Sequence, residues 1–135
     1  MPKVVFAEQS SENRFFVDQH SIREALANWL PAESFVAANL AKMDVAEQLQ
    51  LMSQTAVFIT TCGGGSVVNI FMPPGSTLVI ICNWNTRRDW HIYNFMAERN
   101  VRWVDTGMSS SIEVHIPSLQ QLVQQGLDSF QCAKL

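Results

Sequence analysis

The stretch Ala56-Val57-Phe58-Ile59-Thr60-Thr61-Cys62-Gly63-Gly64-Gly65-Ser66-Val67-Val68-Asn69-Ile70-Phe71-Met72-Pro73-Pro74-Gly75-Ser76 decides the fold of this chain. An apolar run leads into consecutive glycines, a short helix-like segment follows, and a Pro-Pro-Gly turn opens onto a second apolar run, Leu78-Val79-Ile80-Ile81. The pattern is strand, glycine turn, helix, turn, strand. Glycines at the exit of a buried strand free the backbone for unusual φ and let a ligand approach the main chain. The N–H groups that open the next helix suit a phosphate or another anion. The same glycines also fit a bare βα turn. The spacing is neither G-x-G-x-x-G nor a P-loop, because no Lys follows the glycines.

Working outward, strands and helices alternate. Val4-Val5-Phe6-Ala7 reads as a first strand, and residues 13–18 as a polar loop that carries Arg14. Ser21 and Glu24 have the spacing of a capping box, and Ile22, Ala25, Leu26, Trp29 and Leu30 then trace an amphipathic helix stopped by Pro31. Residues 34–39 suggest a second strand. Asp44 with Glu47 caps a second helix with an inward stripe of Val45, Leu49 and Met52. Residues 56–60 and 78–82 are the third and fourth strands. Asp89 opens a long helix to about Asn100, residues 101–104 form a fifth strand, and Ser118 opens a last helix, with Leu119, Leu122 and Val123 inward and Gly126 as its stop. The strands are continuous apolar runs, as expected when both faces of a parallel sheet are covered. The predicted architecture is a three-layer α/β/α, Rossmann-like domain, with a mostly parallel sheet of about five strands, spanning residues 1–135 as one domain. Ligands in such sheets bind outside the carboxyl ends of the strands. The glycine turn, the Asn83–Asp89 loop and the Arg14 loop all follow strands and are expected at one edge.

Composition narrows the function classes. Net charge is −3 and the isoelectric point is near 5.5, which disfavours nucleic acid as a ligand. Only 16 % of residues are charged while 47 % are hydrophobic, a balance that predicts an apolar face covered by a partner, with a homodimer expected. No apolar run is long enough to span a membrane. Cys62, Cys82 and Cys132 form neither a metal pair nor a disulfide framework, and a reducing cytoplasm fits them. His20, His91 and His115 (the last in a strand-like stretch) lack metal-ligand spacing, so no metal site is expected.

Several side chains could take part in chemistry, and each has a plain structural alternative. Gly63, Gly64 and Gly65 offer backbone donors to a diphosphate or make a tight turn. Ser66 contacts a phosphate, caps the short helix, or both. Arg14 pairs a phosphate bidentately or is a solvated loop residue. Arg87 and Arg88, beside Trp84 and Trp90, could hold a base by stacking and a phosphate by charge, or form a surface loop with one buried Trp. Cys62 could act as a nucleophile at a strand-to-helix elbow, with His20 as a base brought near by the fold, or fill space as a small apolar residue.

The segment Leu51–Ile59, the glycines, and Asn69-Ile70-Phe71-Met72-Pro73-Pro74-Gly75-Ser76 together resemble the central motif of family 61 glycosyltransferases. That motif has a strand, His-Gly-Ala-Gly, and a short helix ending Asn-x-x-Phe-x-Pro-Pro-Gly. The helix Val45-Ala46-Glu47-Gln48-Leu49, the strand and Arg14 loop at the start, and the later Tyr93–Ala97 and Val101–Val104 are also similar to the family. The resemblance runs from about Val4 to Leu127 and is most specific at Phe71–Ser76. Two departures matter. Cys62 stands where the family has its motif His, and Val79-Ile80-Ile81 lacks the family's Glu, an acidic group that could grip a ribose hydroxyl or the transferred sugar.

The resemblance implies the donor-binding, C-terminal half of a GT-B enzyme, with a second Rossmann-like half as partner. It implies sugar transfer from a nucleotide diphosphate donor without a metal or other cofactor. The substrate-binding set it suggests is Arg14, Cys62, Gly63, Gly64, Gly65, Ser66, Asn69, Asn83, Trp84 and Arg87. The residues leave two alternatives open: a non-catalytic binding module that retains the fold, and a thiol enzyme using Cys62.

Overall fold

The computed structural model describes residues 2–8, 19–61, 64–82, 99–105 and 114–133. Its five strands are β1 (Lys3–Ala7), β2 (Phe35–Ala38), β3 (Thr55–Thr61), β4 (Thr77–Cys82) and β5 (Asn100–Asp105). They form one sheet in the order β2-β1-β3-β4-β5, and every pairing is parallel. All seven residues of the central strand, β3, are buried. A strand covered on both faces has no solvent side for charged residues, so β3 reads as an apolar run, Ala56–Ile59, flanked by buried threonines.

Side chains leave alternate faces of the sheet. Val4, Phe6, Val57, Ile59, Val79 and Ile81 face helices α1 (Gln19–Trp29) and α3 (Ile116–Ala133). Val5, Ala7, Phe58, Leu78 and Ile80 face helix α2 (Val45–Ser53) and a 3-10 segment, Gly64–Phe71. The expected three-layer α/β/α, Rossmann-like architecture is present. Each fully buried Leu, Ile or Phe contributes roughly 1.5–3 kcal/mol of burial free energy, so these two apolar layers dominate what holds the sheet.

Several local expectations need correction. Helix α1 begins at Gln19, so Ser21 lies inside it rather than at its cap; its buried stripe is Ile22 and Leu26, continued by Leu30, while Trp29 sits at the margin, 39 % exposed. The Asp44–Glu47 capping box is present in both directions, at 2.8 and 2.9 Å. Val45, however, is 70 % exposed, and the start of α2 is tethered by Gln48 Nε2, which donates to the carbonyls of Leu40 and Met43 at 2.8 and 3.1 Å. A polar tether does there what an apolar contact was expected to do, and Met52 alone is fully buried on that helix.

Gly126 does not stop the last helix. It lies in the middle of α3, where a Cβ would stand 2.8 Å from Val57 Cγ2 and 3.0 Å from Thr77 Cβ. Glycine is required there because the helix backbone rests directly on β3 and β4. Helix α3 also starts earlier than Ser118: the carbonyl of His115 accepts from Leu119 N at 3.1 Å. Pro117 sits in the first turn, where its missing N–H costs nothing. His115 is therefore at a helix start, not in a strand, and its Nδ1 meets Ser118 Oγ at 2.7 Å.

Candidate functional site at the β1–β3 crevice

Chain order and strand order part company between β1 and β3. From β1 the chain moves outward to β2, and from β3 it moves the other way to β4 and β5. Open parallel sheets bind ligands in the crevice that forms at the carboxyl ends of such a pair. Two of the segments singled out in the sequence leave from this point: the Arg14 loop follows β1, and the glycine turn follows β3.

Thr61, the last residue of β3, is buried, and the 3-10 segment begins at Gly64. Ser66 is its third residue, so the segment starts too early for Ser66 to be its cap. Asn69 is fully buried on the same segment. Arg14, Cys62, Gly63, Asn83, Trp84 and Arg87 lie outside the described residues, as do Arg88, Asp89, Trp90, His91 and the resemblance at Tyr93–Ala97. Their loops leave β1, β3 and β4, whose carboxyl ends share one edge of the sheet.

The Pro-Pro-Gly turn lies at the other edge. Ser76 N donates to the carbonyl of Pro73 at 3.2 Å, Pro74 takes the second place of the turn, and Gly75 has φ +83°. That is a type II turn, whose third position needs positive φ. A Cβ on Gly75 would meet Ala133 Cβ at 2.5 Å. The most specific stretch of the sequence is thus a device for entering β4 and seating the end of α3, on the side of the sheet away from the crevice.

Charge at the crevice centres on Glu8 and Arg23, which sequence reasoning did not single out. Glu8 follows β1, and its N–H donates to the carbonyl of Ala38 at 2.8 Å. Its Oε1 accepts from Arg23 Nη1, on α1, at 2.7 Å. Arg23 Nη2 lies 2.8 Å from His20 Nδ1, and His20 Nε2 lies 3.1 Å from Glu24 Oε1. A guanidinium only donates, so this network assigns His20 Nδ1 as the acceptor and places the ring proton on Nε2, facing Glu24. Both ring nitrogens of His20 are engaged within this network. The one signal in the sequence was the position of Glu8 directly after an apolar strand; Glu24 read there only as half of a capping box.

Among the described residues, no group of three or more His, Cys, Asp or Glu side chains could hold a metal ion. Among the same residues, no helix is long and apolar enough to cross a membrane.

The family model described as Glycosyltransferase 61 matches residues 1–80, from β1 into β4. The match includes the crevice, the glycine turn and the Pro-Pro-Gly turn. No curated protein matches the chain.

Proposed function

The chain belongs to glycosyltransferase family 61, and from that premise we propose that it is the donor-binding, C-terminal Rossmann-like half of a GT-B enzyme. The observation that carries this reading is the glycine turn leaving the central strand at the point where the strand order reverses. A sugar nucleotide would lay its diphosphate against the N–H groups of residues 63–66, with Arg14 supplying positive charge. The Trp84–Arg87 loop would border the base. Bond cleavage between sugar and phosphate leaves negative charge on the diphosphate, which backbone donors and an arginine stabilise as it develops.

The acceptor and a general base would come from a second Rossmann-like half across the cleft. In the absence of that half, affinity for the donor is weak. Isothermal calorimetry with millimolar uridine or guanosine diphosphate tests the reading: a measurable heat is expected, and a flat titration with both nucleotides would overturn it in favour of a non-catalytic module. Sugar transfer by this chain alone would contradict the division of labour between two halves.

A further inference from the structure

We propose that Glu8 is the carboxylate that receives the ribose hydroxyls of the nucleotide, an inference that rests on the donor-binding reading above. β1 pairs with β3 as far as Phe6↔Ile59, and Glu8 follows two residues later at the same carboxyl edge of the sheet from which β3 leads into the glycine turn. Ligands of open parallel sheets bind outside this edge, so a carboxylate at the end of β1 is within the same crevice as the turn proposed to hold the diphosphate. Alternation along β1 puts Glu8 on the same side as Val4 and Phe6, under the start of α1. The ion pair with Arg23 confirms that direction.

The side chain is built to be held and still reached. Its backbone is pinned by the bond to Ala38, its Oε1 by Arg23, and Arg23 in turn by His20, which is braced by Glu24. The side chain keeps 23 % of its surface exposed. Among the described residues Oε2 has no partner. An ionised carboxylate only accepts hydrogen bonds, and a ribose diol offers two donors. An acidic side chain at a strand end is the general solution for holding ribose in dinucleotide-binding sheets. Arg23 also offsets the negative charge that a diphosphate would otherwise meet at this edge.

The test compares probes on the full chain by calorimetry: uridine diphosphate, its 2′,3′-dideoxy analogue, and inorganic pyrophosphate. In the unmodified chain, removing both hydroxyls should weaken binding about tenfold, the scale of a hydrogen bond to a charged group. Glu8→Gln should weaken uridine diphosphate by a similar factor, leave pyrophosphate unchanged, and bind the dideoxy analogue no worse than the unmodified chain does. Equal affinity of the unmodified chain for the two nucleotides would overturn the assignment without any variant. So would a Glu8→Gln chain that loses nucleotide and pyrophosphate alike, because the residue would then act through the shape of the turn. If the unmodified chain bound none of the probes, the donor-site reading itself would fall, and this proposal with it.

Discussion

Arg99 Nε donates to the carbonyl of Asn69 at 3.0 Å, across thirty residues of sequence. The same guanidinium donates through Nη2 to the carbonyl of Ile70 at 2.7 Å and to that of Met72. The Ile70 and Met72 carbonyls lie at the end of the 3-10 segment, where a helical backbone runs out of internal donors, while that of Asn69 also accepts from Met72 N at 3.0 Å. One planar fork from the residue before β5 therefore closes the crossover between β3 and β4. It fixes the far end of the segment whose near end leaves the glycine turn.

Replacing Arg99 by Met should cost about 2–3 kcal/mol, since charge-assisted hydrogen bonds are lost and carbonyls are left short of donors. Arg99→Lys should recover only part of this, because an ammonium on a flexible stem cannot reproduce a rigid fork. Urea denaturation of both variants measures the difference. A Lys variant as stable as the unmodified protein would show that charge alone, rather than the fork, is what the segment needs.

Gly126→Ala separates two effects of opposite sign. On an exposed helix the change would stabilise by roughly 1 kcal/mol through helix propensity. Here the new methyl meets Val57 and Thr77, neither of which ends in a flexible chain, and overpacking of this kind costs about 1–3 kcal/mol. Net destabilisation is expected, with a melting temperature lower by a few degrees for a domain of this size. A raised melting temperature would mean that α3 can lift off the sheet at little cost.

Gly75→Ala should be more damaging. It forces a Cβ into φ +83° and against Ala133 at 2.5 Å, so backbone strain of about 1–3 kcal/mol adds to a steric clash. Shortening the chain's C-terminus to remove Ala133 should relieve the clash and leave the strain. Thermal melts of the single change, the truncation and their combination measure this coupling.

How much of this was legible in the sequence depended on what kind of contact fixed each feature. Continuous apolar runs announce a covered parallel sheet, and all five strands fell where those runs placed them. The Asp44–Glu47 box was legible because both partners lie within one helical turn. Gly126 was misread because the need for glycine came from β3 and β4, which are remote in sequence. Val45 was misread because periodicity cannot say that Gln48 would do the anchoring. At the crevice, the position of the glycine turn was legible from local order alone. The Glu8–Arg23 pair and the Arg99 clamp were not, since each joins residues that only the folded sheet brings together.

Self-association is expected, with a second copy of the chain as the partner. Val67, Ile70 and Phe71 on the 3-10 segment are each close to half exposed, and that segment carries no charge. A stable interface buries about 800 Å² per partner, so these side chains would form only its centre. Light scattering should report a dimer that becomes a monomer in an Ile70→Glu, Phe71→Glu double variant with unchanged circular dichroism. A monomer at high concentration in the unmodified chain would sink the idea.

The proposed diphosphate cradle makes the sharpest demand on single residues. A nucleoside diphosphate bound near the Trp84–Trp90 loop should quench tryptophan fluorescence. Gly64→Val should abolish the quenching, because a branched side chain at the start of the 3-10 segment would keep a phosphate from the backbone N–H groups. Arg14→Ala should weaken binding by about 1.5–3 kcal/mol, the contribution of a hydrogen bond to a charged group. Trp29 and Trp103 supply the control: neither belongs to the proposed site, so quenching that persists after Trp84→Phe and Trp90→Phe would place the nucleotide elsewhere. Full quenching with Val at position 64 would show that the glycines serve the turn alone.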